Sequence, residues 1–97
     1  MKRVFISQAM SGKGDVAVLV ERANAAQKAQ EHAGEEIEIL DSFRANQVIQ
    51  PLQVVGQSIS MMAQADLVVF VKGWEADKEC KIQHMCATEY GLAILEA

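Results

Sequence analysis

The sequence predicts an α/β domain built as a three-layer sandwich. A four-stranded parallel sheet, order 2-1-3-4, carries helices on both faces. Three observations predict it. Four short apolar runs, "RVFIS", "EIEIL", "DLVVFV" and "LAILEA", have strand character. The segments between them place apolar residues at helical spacing. Strand and helix alternate along the whole chain, the pattern of crossover units in a parallel sheet.

"RVFIS" is an apolar run that ends abruptly in the small and polar residues of "SQAMSG". "GKGD" then breaks the chain, and Asp15 is the expected N-cap of the first helix. Val16, Leu19, Val20, Ala23 and Ala26 follow at helical spacing, and Gly34 is the stop signal. "EIEIL" alternates Glu and Ile as a strand does, and "FRANQVIQ" reads as irregular chain or a short turn. Pro51 suits the first turn of the next helix, which carries Leu52, Val55, Ile59 and Met62. "DLVVFV" is the strongest strand, apolar throughout, with Asp66 in a structural role at its start. "GWEADKE" reads as a loop, "CKIQHMCATEY" as a helix ended by Gly91, and "LAILEA" as the last strand. Right-handed crossovers reduce the possible orders to a few, of which the flavodoxin-like or Rossmann-like order 2-1-3-4 is favoured.

A chain of 97 residues, 51% of them hydrophobic, is expected to form one globular domain over residues 1–97. With 5% aromatic residues, its core must rest on Val, Ile, Leu, Ala and Met. The net charge of −4, with no basic patch, argues against a general nucleic-acid binder. No apolar run approaches the length of a membrane span, and the first residues lack the apolar core of a secretory leader. A cytoplasmic protein is expected, with Cys80 and Cys86 reduced. Six positions apart in a helix, they face different sides.

In sheets of this order ligands bind beyond the carboxyl ends of the strands, at the switch point between β1 and β3. That rule gathers the candidate site. The loop after the first strand supplies Ser7, Gln8, Met10, Ser11 and Gly12 ahead of a helix N-terminus. It has neither the dinucleotide fingerprint nor full P-loop spacing, so an ordinary strand-to-helix turn is the alternative. Asp41 and Ser42 end the second strand, where a carboxylate can hold sugar hydroxyls or cap a turn. Gly73 turns the chain after the third strand, and Trp74 either stacks on a ring or covers the core edge. Asp77 and Glu79 precede Gln83, and Glu79 and Gln83 share a helix face at one-turn spacing. Cys80 and His84 have the spacing of a metal pair but lack a third convergent ligand, so no metal and no cofactor are expected. No Ser-His-Asp arrangement can be argued from spacing.

Taken together, "RVFISQAMSG", "DSF", "ADLVVFVKGWE" and the pattern C-K-I-Q-H-x-x-A-x-x-Y-G resemble the nucleoside 2-deoxyribosyltransferase-like family. The similarity is greatest to its short branch, domain of unknown function 4406. The resemblance covers nearly the whole chain and implies a nucleoside- or nucleotide-like small molecule as ligand. It also implies cleavage or transfer at the N-glycosidic bond, with a Glu on the helix after the third strand attacking the anomeric carbon. The loop from Ser7 to Gly12 matches the family's ligand-lining loop, with Ala9 at its usual Pro. Gly73 and Trp74 match its "GW", and Asp77 matches a sugar-contacting Asp. The nucleophile position is Gln83. An amide cannot form the glycosyl ester, and Glu79, one turn earlier, is the candidate substitute. Three readings follow: a nucleoside-processing enzyme with altered catalysis, a non-catalytic nucleoside or nucleotide binder on the same scaffold, and an oligomeric interaction protein. A homo-oligomer is expected in each, because a sheet edge left open at the fourth strand needs cover.

Overall fold

The computed structural model describes residues 1–9, 12–40 and 50–97. Met10, Ser11, Asp41, Ser42 and the irregular segment expected at 43–49 lie outside the described residues. The elements run β1 (Lys2–Ser7), α1 (Asp15–Ala33), β2 (Ile37–Ile39), α2 (Pro51–Met62), β3 (Leu67–Phe70), a short 3₁₀ turn (Trp74–Ala76), α3 (Lys78–Glu89) and β4 (Ile94–Glu96). The sheet has the order β2-β1-β3-β4, and every pairing is parallel. The expected topology is therefore present.

The sheet sits between two apolar layers because its central strands are apolar on both faces. Val4, Ile6, Leu67, Val69 and Val71 pack with Ala25 and Ala29 of α1. Phe5, Val68 and Phe70 pack with Met62 of α2 and Ala87 of α3. Strand residues alternate sides, so β1 feeds α1 with its even positions and α2 and α3 with its odd ones. The register places Val4 against Leu67 and Ser7 against Phe70. Asp66 ties the start of this pairing, its carboxylate accepting the Arg3 backbone N–H at 2.8 Å.

Local chemistry accounts for most helix ends. Gly34 takes the left-handed conformation, φ 68°, that closes α1. Pro51 opens α2 behind a reciprocal Gln50–Gln53 capping pair. Two boundaries differ from expectation. Gly14, not Asp15, is the N-cap of α1, and Asp15 lies in the first turn. There its charge still complements the helix dipole. The helix α3 begins at Lys78 rather than Cys80, because the Asp77 side chain accepts the Cys80 N–H at 2.9 Å and caps it.

The larger correction concerns which side of α1 is buried. Val16, Leu19 and Val20 are 76%, 56% and 54% exposed, while Val18, Ala25 and Ala29 are buried. The two stripes are offset by about 200°, nearly opposite faces of one helix. The outer stripe runs out into Gln27, Gln30 and Glu31, so it cannot cover the length of the sheet. The inner stripe continues through Ala29, and its alanines let the helix backbone lie close to Val4, Ile6 and Val69. Urea unfolding tests this rotation. Leu19→Ala should change stability by less than about 0.5 kcal/mol. Ala25→Leu should cost about 1–3 kcal/mol by overpacking the helix–sheet seam. The reverse ranking would mean that the outer stripe is the buried one.

Candidate functional site

The β1–β3 pairing brings Ser7 to the carboxyl edge of the sheet, at the switch point where the chain leaves for β2 on one side and β3 on the other. Ser7 has odd parity, so it faces α3. Its hydroxyl donates to Gln83 Oε1 at 2.5 Å. The Gln83 amide nitrogen donates in turn to Ser58 Oγ of α2 at 2.8 Å and to Glu79 Oε1 at 3.3 Å. Ser58 donates its own proton to the Val55 carbonyl at 2.7 Å, which leaves its oxygen to accept. Both amide protons of Gln83 and its carbonyl are therefore engaged. Gln83, Ser7 and Ser58 are all buried, at 3%, 2% and 7% exposure, so these bonds satisfy groups that water does not reach.

These residues bound a cavity of about 30 Å³, lined by Ser7, Gln8, Ser58, Glu79 and Gln83 with Phe5 and Ile6 behind them. Gln8 also braces α1, its amide nitrogen donating to the Val18 carbonyl at 3.1 Å and to Glu21 at 3.4 Å. Lys13 meets the same Glu21 carboxylate at 2.9 Å. With its nitrogen committed to two acceptors, the amide orientation is settled. Among the described residues the buried Gln8 Oε1 has no hydrogen-bond partner. Burial first, and the Asp77 carboxylate second, hold the Glu79 carboxyl above its ordinary range. The Asp77 carboxylate itself is turned to the cap of α3.

Cys80, buried on α3, also lies against Ser7. Burial pushes its thiol up to about 12; the hydrogen bond with Ser7 works against the rise, and Asp77 and Glu79 add to it. A buried thiol held protonated is a poor nucleophile.

Gly73 and Trp74 are not among the residues that line this cavity. Gly73, at φ 98°, makes the sharp exit from β3. Trp74 stacks on His84 with ring centroids 4.0 Å apart and planes at 9°, and it meets Phe70 at 5.5 Å. Its indole N–H donates to Glu96 at 3.1 Å. The ring thus covers the edge of the core between β3, α3 and β4. Gly12 adopts φ 76° just ahead of α1 and is exposed. The spacing of Cys80 and His84 does not make a metal pair, because His84 sits in the aromatic stack while Cys80 lies against Ser7 and Asp77. Among the described residues no three His, Cys, Asp or Glu side chains converge to hold a metal ion. Nor is any helix among them long and apolar enough to cross a membrane.

Sequence reasoning brought Ser7, Glu79 and Gln83 to one place and missed Ser58. Its signal was present: Ser58 interrupts the apolar stripe of α2 between Val55 and Met62, the position a polar side chain takes when it has a buried partner.

A parallel sheet in this order, with a polar cavity at its switch point, defines a doubly wound α/β domain. The chain matches the family model described as Domain of unknown function (DUF4406) across residues 2–96, and it belongs to that family. No curated protein matches it.

Two measurements check the site. Thiol titration of the native protein should modify Cys86 and spare Cys80, with the second thiol reacting only in denaturant. Two fast equivalents would mean that the Ser7–Cys80 side of the site is open. The second concerns Glu79. Its native carboxyl holds a proton more tightly than the unfolded one, so ionising it opposes folding. Wild type should lose stability relative to Glu79→Gln as pH rises from 4.5 through the raised native value. A stability difference constant across that window would put the carboxyl in a water-like setting.

Proposed function

We propose that the protein binds a nucleoside- or nucleotide-like small molecule at the carboxyl end of β1 and β3 and processes its N-glycosidic bond, with Glu79 rather than Gln83 as the acting carboxyl group. The observation that carries this reading is the Ser7–Gln83–Ser58 network, which ends on a half-buried carboxyl group at the mouth of the polar cavity. A carboxyl group held toward its protonated form beside a cavity is suited to general acid work. Protonated Glu79 would donate its proton to the departing base nitrogen as the C–N bond breaks. The resulting carboxylate would stabilise the oxocarbenium-like sugar and take a proton from the water that adds to it. Gln83 is then a positioning residue that holds Glu79. The ligand class is supported by the resemblance of the "RVFISQAMSG" start and the "GW" to "YG" tail to the nucleoside 2-deoxyribosyltransferase-like family. The unpaired thiols Cys80 and Cys86 fit a cytoplasmic setting.

A second reading, binding without chemistry, is favoured by Gln83 itself, an amide with both protons in use. One experiment separates the two. Incubated with a panel of deoxynucleosides and their monophosphates, wild type should release free base, and Glu79→Gln should lower the rate by about a hundredfold or more. Thermal stabilisation by a panel member without base release supports the binder. Neither release nor stabilisation overturns both readings.

A further inference from the structure

The polar cavity is too small for the ligand proposed for it. About 30 Å³ accommodates a single hydroxyl-sized group, whereas small-molecule sites span about 300–1,000 Å³. The bulk of any nucleoside-sized molecule must lie outside it, in space that still touches the same residues. Among the described residues, one large hollow shares a lining residue with the cavity. A groove of about 570 Å³ runs between the N-terminal halves of α2 and α3, lined by Leu52, Val54, Val55 and Ile82 with Lys78 and Glu79 at its rim. Glu79 belongs to both the groove and the polar cavity. The other large hollow, about 610 Å³ along Gln53, Gln57 and Gln64, shares no residue with the cavity. Trp74 is the obvious alternative ring platform, but His84 already covers one of its faces and Glu96 takes its N–H.

We infer that the α2–α3 groove is the subsite for the ring of the ligand, an uncharged planar heteroaromatic base. Its sugar is directed across Glu79 into the Ser7–Gln83 cavity. This rests on the reading of a nucleoside-like ligand and adds the place and chemistry of base recognition. Leu52, Val55 and Ile82 offer an apolar slot with no aromatic ring among the described residues that line it, so these side chains hold a ring by burial rather than by stacking. Glu79 stands where the slot meets the cavity, the place occupied by the bond between ring and sugar.

The inference is tested by calorimetric titration with deoxyadenosine and, as controls, adenine and deoxyribose. Leu52 is 79% exposed, so Leu52→Glu should fold and should weaken deoxyadenosine binding by about tenfold or more by placing a charge in the slot. Ser7→Ala should weaken deoxyadenosine and leave adenine binding unchanged. On the unaltered protein, adenine should shift the methyl resonances of Leu52, Val55 and Ile82, a readout that does not depend on the folding of a variant. Deoxyadenosine binding unchanged by Leu52→Glu, with those methyl resonances unmoved, overturns the groove assignment and leaves the ligand class standing. Absence of binding by any nucleoside or nucleotide to wild type overturns the ligand class and the groove together.

Discussion

A buried amide must have its hydrogen bonds met, and in this protein that requirement joins the sheet to both helices on one of its faces. Gln83 of α3 takes a proton from Ser7 on β1 and gives one to Ser58 on α2. None of the three side chains has an alternative partner in water, since all are buried. Loss of any one would leave a donor or acceptor unsatisfied, at a cost of about 1–3 kcal/mol. The polar cluster therefore fixes where α2 and α3 sit relative to β1. The apolar contacts of Phe5, Phe70, Met62 and Ala87 hold the layers together without specifying that placement.

The two faces of the sheet solve different problems. On the α1 side the seam is small and apolar, with Ala25 and Ala29 against Val4, Ile6 and Val69. It fills space and carries the Gln8–Glu21–Lys13 cluster only at its upper end. On the α2–α3 side the layer becomes polar toward the carboxyl edge, and every residue assigned a chemical role lies there. The alternation of β1 makes this division possible: Ile6 seals one layer while its neighbour Ser7 opens the other.

Much of the fold was legible in the sequence because strands and helices alternate with clear punctuation. "DLVVFV" admits no other reading, and Gly34 and Pro51 mark helix ends by mechanisms that act locally. The buried side of α1 was not legible. Alanine counts as apolar in either stripe, and only the sheet's demand for close approach along its full length chooses between them. The start of α3 was hidden for a similar reason, since a carboxylate such as Asp77 reads equally as loop or as cap until its acceptor geometry is known. Within the site, Glu79 and Gln83 were legible as an i, i+4 pair on one helix. Ser7 was legible as the end of a strand at a switch point. Ser58 was legible only as a polar break in the apolar stripe of α2, because its partner Gln83 is 25 positions away in the chain. Trp74 was ambiguous in the sequence, and its stack on His84 comes from the turn after β3, which no periodicity encodes.

The bond between Ser7 and Gln83 joins residues 76 positions apart. Closing so long a stretch of chain is entropically unfavourable on its own, so the contact depends on the strands between to bring its ends together. Neither end of the chain can assemble the cavity by itself. The first strand supplies the hydroxyl, and the third helix supplies its partner. A chain that ended before α3 would hold β1, β2 and β3 but not the amide that joins Ser7 to Ser58, so it would have the centre of the sheet without the polar network.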